Sequence, residues 1–167
     1  MSKLLRPLLL LCVFSSLVGC DQVTKHAAIV HLGEAPAVLV EGLFELRYAE
    51  NRDTAFSLVH HLGLGQPPGW LMALLGTLAL GLIGTALWKQ RHDASRLHVA
   101  AVLLIASGAV ANLIDRFTRG FVVDFMHLRG WPIFNVADVL IVLGIGLWLL
   151  ASRSGYAPPA HERAEPD

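Results

Sequence analysis

Charge is what this sequence has least of. Only 16% of its 167 residues are Asp, Glu, Lys or Arg, while 54% are hydrophobic, which sets it apart from ordinary soluble chains. Thirteen basic and thirteen acidic residues cancel, so no nucleic-acid partner is expected. Cysteine is scarce too. Cys12 and Cys20 both lie in the first apolar run and read as membrane-facing side chains, because disulfide frameworks belong to small soluble secreted domains. The eight histidines lack metal-ligand spacing such as His-Glu-x-x-His, and no metal or cofactor is expected. The adjacent His60 and His61 cannot both point to one face of a strand or helix and read as loop. The length suits one domain.

Long apolar runs are what the chain does have. They cover about 7–30, 69–88, 97–114 and 133–152. A helix crosses a bilayer core with about 20 apolar residues. The second and fourth runs meet that length, the third nearly does, and the first does if Asp21 is tolerated. Gly76, Thr77, Gly81, Gly84 and Thr85 stud the second run, and such small residues let membrane helices approach closely. The expected fold is membrane α-helical: four transmembrane helices with a small β-sheet and loop on the outer (periplasmic) face. Residues 1–153 form one integral-membrane domain, and 154–167, polar with three prolines, form a disordered cytoplasmic tail.

Lys and Arg set the orientation. Lys3 and Arg6 precede the first run, Lys89, Arg91 and Arg96 crowd the link between the second and third, and Arg153 and Arg163 follow the fourth. Four spans put all three regions on one side, which should be the cytoplasm. The outer side then holds roughly His26 to Pro68 and Asp115 to Pro132. In the first segment Phe44, Leu46 and Tyr48 alternate with Glu45, Arg47 and Ala49, the period of a half-buried strand. In the second, Val122, Asp124 and Met126 alternate with Phe121, Val123 and Phe125.

The chain is organised around Gly120 to Asp138. Asp124 and Asp138 flank a turn-forming stretch, Arg129-Gly130-Trp131-Pro132, and both sit among apolar neighbours. A carboxylate in such surroundings is costly unless something requires it. Two brought together share protons and titrate as a pair, the apparatus by which aspartic proteases activate water against an amide. In the simpler reading Asp138 caps a helix and Asp124 pairs with an arginine. On this stretch alone the two readings stand level.

Other polar residues share its depth. Asp21 and Lys25 are four apart and can neutralise each other on one helix face. Gly108, Asn112 and Asp115 stack on one face of the third run, with Arg116 one turn from Asn112. Asn135, three before Asp138, suits an N-cap, and the amide dipoles of that turn favour an ionised Asp138. Taken singly, each reads as interfacial, and Lys25 as a snorkelling side chain. Taken together at one depth, they read as a functional centre.

Five blocks then resemble the lipoprotein signal peptidases (signal peptidase II). They are Asp21-Gln22-Val23-Thr24-Lys25, Asn51 through Ala55-Phe56-Ser57, Gly108-Ala109 with Asn112-Leu113-Ile114-Asp115-Arg116, Val122-Val123-Asp124-Phe125, and Phe134-Asn135-Val136-Ala137-Asp138. In order and spacing they cover nearly the whole chain except the tail. The resemblance implies an intramembrane aspartic endopeptidase of the bacterial inner membrane, multi-pass, with both termini cytoplasmic. It would remove signal peptides from prolipoproteins just before a diacylglyceryl-modified Cys. Asp124 and Asp138 match the catalytic pair; Asp21, Lys25, Asn51, Gly108, Asn112, Asp115, Arg116 and Asn135 match the supporting and substrate-binding positions. Partners implied are lipidated prolipoproteins, membrane lipids and the inhibitor globomycin, a cyclic peptide antibiotic.

Two blocks depart from the family pattern. Asp53 and Thr54 stand where Gly-Ala is usual before Ala-Phe-Ser, and Ser107 and Ala111 each replace a Gly around Gly108-Ala109 and Asn112. Losing a Gly restricts the backbone and narrows close approach, so substrate affinity or range should differ. Neither departure touches the two aspartates. Two rival readings remain at this stage. In the first the chain is itself a lipoprotein, since Leu17-Val18-Gly19-Cys20 fits a lipobox after a basic start; the three further runs and the motif beyond Cys20 argue against it. In the second it is a small polytopic transporter or binding protein with an acid proton relay, which no internal repeat or broken helix supports.

Overall fold

In a computed structural model of the chain, residues 5–33, 35–52 and 95–154 are described, with helical positions 71, 74, 76–78, 81, 84 and 85 between them. Helix α1 spans Leu5–His31, strand β1 Ala37–Val40, strand β2 Phe44–Asn51, helix α2 Arg96–Thr118, strand β3 Val122–Leu128 and helix α3 Val136–Ser154. The two helices α1 and α2 are long and apolar enough to cross a membrane, with mean hydropathy 1.6 and 2.1 over their most apolar stretches. In α3 the apolar stretch is shorter, Val136–Ser152. Expectations about Asp53, Thr54, His60, His61 and the tail beyond Ser154 lie outside the described residues.

The helices are inverted relative to those of a soluble protein. Leu8, Leu11, Val142 and Leu150 are exposed, whereas Lys25, Asn135, Asp21, Asp115 and Ser107 are among the largest fully buried side chains. An apolar exterior around a satisfied polar interior is what hydrocarbon solvent demands. Cys12 and Cys20 are free and exposed on α1.

Helices α2 and α3 cross at two glycines. A methyl group on Gly108 would overlap the Ala137 carbonyl and lie 2.8 Å from the Ile141 side chain; one on Gly144 would lie 2.9 Å from the Ala101 carbonyl and 2.6 Å from Ile105. Ser95 caps α2, its Oγ accepting from the His98 N–H at 3.3 Å. In the second apolar run, a methyl on Gly76 would meet Leu113 of α2 at 3.4 Å, whereas one on Gly81 or Gly84 would meet nothing within 4 Å, so the close approach expected of these small residues is seen at Gly76 alone among the described glycines of that run.

The three strands form one antiparallel sheet, in the order β1-β2-β3. The edge strand β1 is an addition to the two strands that alternation predicts; Ala-Val-Leu-Val carries no period-2 signal, and all four residues are exposed. A bulge interrupts β2 between Leu46 and Ala49. Phe44 pairs with Leu128 and Leu46 with Met126, but beyond the bulge Ala49 pairs with Asp124 and Asn51 with Val122. Strict alternation from Phe44 and Leu46 would turn Asn51 to the opposite face. The extra residue returns Ala49 and Asn51 to the face that carries Asp124. Strand β3 departs from half-burial as well: Val122, Val123, Asp124 and Phe125 are all buried, with α1 and α2 both packed against the strand.

After β3 the chain reverses at Gly130, whose φ is +80°, a left-handed value that suits glycine. The Trp131 N–H donates to the Leu128 carbonyl at 2.9 Å. Phe134 then pairs back onto Met126, with N–H to carbonyl distances of 2.9 and 2.8 Å. That short pairing delivers Asn135 and the start of α3 to the side of Asp124.

Candidate active site

Asn135 joins the two acids. Its Nδ2 donates to Asp124 Oδ1 at 2.6 Å. Its Oδ1 accepts the Asp138 N–H at 3.0 Å, and its own N–H donates to Asp138 Oδ2 at 3.1 Å. The last two bonds are a reciprocal cap on α3, so the N-cap expected at this position is present. The remaining carboxyl oxygens take further amides. Asn51 Nδ2 donates to Asp124 Oδ2 at 2.8 Å, and Asn112 Nδ2 to Asp138 Oδ1 at 2.9 Å. All four oxygens thus accept from neutral N–H groups. Such donors orient a carboxyl without a full countercharge, so the pair stays free to exchange a proton.

Asp124 is only 2% exposed. Burial, reinforced by the negative charge of Asp138, pushes its carboxyl up to about 7. The amide bonds from Asn51 and Asn135 oppose that rise without cancelling it. A carboxyl that titrates near neutrality, paired with a second acid, is equipped for general acid–base chemistry.

Beneath the acids lies a buried ionic layer. Lys25 Nζ meets Asp21 Oδ2 at 2.8 Å, Asp115 Oδ2 at 3.0 Å and Asn112 Oδ1 at 2.8 Å. The ammonium stands between two carboxylates and donates a hydrogen bond to the amide oxygen. Lys25 is fully buried, so it does not snorkel; with acceptors on two helices, the interior is better for it than the interface. Asp21 Oδ1 accepts the Ala137 N–H at 2.8 Å, tying α1 to the first turn of α3. Asp115 Oδ2 accepts the Val123 N–H at 3.1 Å, tying α2 to the strand just before Asp124.

The structure brings together every site position that the sequence singles out, with differing roles. Asp21, Lys25, Asn51, Asn112, Asp115 and Asn135 hold the acids or their supports. Gly108 provides the close crossing beside Ala137. Arg116 donates to the Asn112 carbonyl at a long 3.5 Å and interacts electrostatically with Asp138, Asp124 and Asp115. Besides Lys25, Asp115 pairs with Arg119, one helical turn on, and Gln22 Nε2 donates to the same carboxylate at 3.1 Å. Sequence reasoning missed Arg119; its i, i+4 spacing from Asp115 was the available signal. Ser107 and Ala111 are buried, and the Ser107 hydroxyl bonds within α2 to the Leu103 carbonyl at 2.7 Å. Helix α1 runs unbroken through Cys20, and Asp21 beside it belongs to the site.

Residues 13–153 match the sequence profile of the family described as signal peptidase (SPase) II. The lipoprotein signal peptidase of Azoarcus sp. (strain BH72) is 36% identical over 155 residues, covering 89% of this chain and 85% of that protein. The lipoprotein signal peptidase of Syntrophomonas wolfei is 41% identical over 140 residues, covering 82% and 87%. A bacterial membrane enzyme solved by the in meso method at 2.3 Å resolution has the same fold, with a TM-score of 0.70 at 22% identity over 95% of this chain and 93% of that one.

Proposed function

This chain belongs to the signal peptidase II family, and we propose that it removes signal peptides from prolipoproteins with Asp124 and Asp138 as its acid pair. The observation that carries this reading is the amide cradle, in which Asn135 donates to both carboxyls, from its side chain to Asp124 and from its backbone N–H to Asp138. The substrate is a diacylglyceryl-modified precursor, cut just before the lipidated Cys.

The chemistry follows from one proton shared by two acids. Asp124, titrating near 7, carries that proton at neutral pH, and its partner carries the charge. The ionised carboxylate takes a proton from water as the water oxygen attacks the scissile carbonyl. The protonated carboxyl donates to the carbonyl oxygen. Collapse of the tetrahedral intermediate passes a proton to the leaving amine, releasing the signal peptide as a carboxylate. Neither a covalent intermediate nor a metal enters these steps.

Four spans, with the sheet on the periplasmic face of the inner membrane and both termini in the cytoplasm, complete the reading. Residues 1–153 form the peptidase domain and 154–167 its tail. Surrounding lipid admits the diacylglyceryl chains sideways, and globomycin competes with the peptide at the acid pair.

The test is a gel-shift assay of a lipidated prolipoprotein with the purified full-length protein, with and without globomycin. Asp124→Asn and Asp138→Asn should each lower the rate by several orders of magnitude while remaining folded, since each removes acid and base steps worth roughly a hundredfold or more apiece. Substantial turnover by either variant overturns the assignment of the pair.

A further inference from the structure

The ionic layer under the acids ends at a residue outside the five sequence blocks. Arg119 is the C-cap of α2, its backbone N–H donating to the Asp115 carbonyl at 2.7 Å. Its guanidinium pairs with Asp115 Oδ1 and donates to Gln22 Oε1 at 3.2 Å. Gln22 Nε2 reaches the same Asp115 oxygen and the Ala111 carbonyl, both at 3.1 Å. The Arg119 side chain is 26% exposed, whereas the carboxylate it meets is fully buried.

We propose that Arg119 is a positioning residue for the acid pair: its charge completes a neutral ionic layer whose far end fixes Asn112 against Asp138. The inference rests on the reading of Asp124 and Asp138 as the catalytic acids.

The charges decide the matter. Asp21 and Asp115 bring two negative charges to the layer and Lys25 one positive; Arg119 supplies the second. Without Arg119, Lys25 is the one full cation bonded to two buried carboxylates. A buried carboxylate that loses its partner is strongly unfavourable, so the ammonium is drawn toward Asp115 at the expense of its third acceptor, Asn112 Oδ1. That bond, together with one from Asn135 Nδ2 to the same oxygen at 3.1 Å, sets the amide's orientation. With its oxygen on Lys25, Asn112 must present its NH2 to Asp138.

Among the described residues no cation besides Lys25 and Arg119 is paired with Asp115; Arg116 bonds the Asn112 carbonyl instead. The other charged groups around the acids are, on α1, Asp21 and Lys25; on α2, Asp115 and Arg116; on β2, Glu50, already paired with Arg52 at 2.7 Å. From β3 and α3 come the acids themselves. His127, further along β3, pairs with Glu45 at 3.0 Å.

Arg119→Gln, assayed as full-length protein in detergent, tests this. It keeps a hydrogen-bonding side chain and removes the charge. The uncompensated negative charge should make the acid pair hold its proton more tightly. The alkaline limb of kcat should then move up by on the order of half a pH unit, with kcat at neutral pH down several-fold and KM little changed. Arg119→Lys, which keeps the charge, should restore the wild-type profile. A lowered melting temperature with an unmoved pH profile, or a profile moved downward, overturns the proposal. Should Arg119→Gln fail to fold, Arg119→Lys alone decides, since a displaced profile there contradicts a role for charge. If Asp124→Asn and Asp138→Asn are inactive while Arg119→Gln keeps the wild-type profile, only this inference fails; activity in either Asn variant sinks the acid-pair reading instead.

Discussion

A carboxyl that must pass a proton back and forth is poorly served by a lysine or arginine locked onto it. Here the cations stand one layer back, and amides from Asn51, Asn112 and Asn135 touch the acids. The consequence for Asp124 is measurable. Its carboxyl lies above the usual 3.8, at about 7, so the folded state binds its proton more tightly than the unfolded state does. The stability this contributes is fully present below pH 3.8 and is lost as pH rises through about 7. Chemical denaturation of wild type and Asp124→Asn across that window should show the gap between them shifting against wild type. A constant gap from pH 4 to 8 contradicts the assignment. Cleavage by wild type should likewise decline above about pH 7, as Asp124 gives up the proton the leaving amine needs.

Among the elements, the crossing of α2 and α3 sets the separation of the acids' supports. Gly108 leaves no room for a methyl beside Ala137, and Ala137 is one residue from Asp138 and bonded to Asp21. Gly108→Ala should therefore cost about 1–3 kcal/mol in stability. By displacing the first turn of α3 it should also lower the cleavage rate on the order of a hundredfold. Gly146→Ala, where an added methyl meets nothing within 4 Å, is the control and should change neither. The tie between α1 and α2 depends on Lys25. Lys25→Met leaves Asp21 and Asp115 buried without their shared ammonium and should destabilise by about 3–5 kcal/mol, read as a fall in melting temperature in detergent. An unaffected melting temperature would show that the two acids find other partners.

For the whole molecule, the apolar exterior places the chain in a membrane, and the proposed orientation there is open to test. A reporter fused after Trp88 or at the C-terminus should report cytoplasm, and one within His60 to Gly65 the outer side. Finding the His60 segment in the cytoplasm separates the acid pair from any translocated substrate. Intact mass gives a second check. Helix α1 is part of the folded site through Asp21 and Lys25, so the chain should retain residues 1 to 19 and carry no lipid on Cys20; Cys20→Ser should cleave substrate at the wild-type rate.

What the sequence determined alone was set by local spacing. Asp21 and Lys25 at i, i+4, the face shared by Gly108, Asn112 and Asp115, and Asn135 three residues before Asp138 all follow from helical periodicity, which tertiary contacts do not alter. The class of solvent was equally legible, since apolar runs of that length have few other uses. Tertiary structure decided where side chains could go only by contact across the chain. Lys25 read as an interfacial residue because nothing local shows that Asp115 and Asn112, some ninety residues away, surround it. Arg119 stands at i, i+4 from Asp115, but only the fold shows that Gln22, on another helix, joins that pair. Asn51 reaches Asp124 only because a bulge in β2 shifts its register by one residue, and a period-2 pattern cannot encode the extra residue that breaks it.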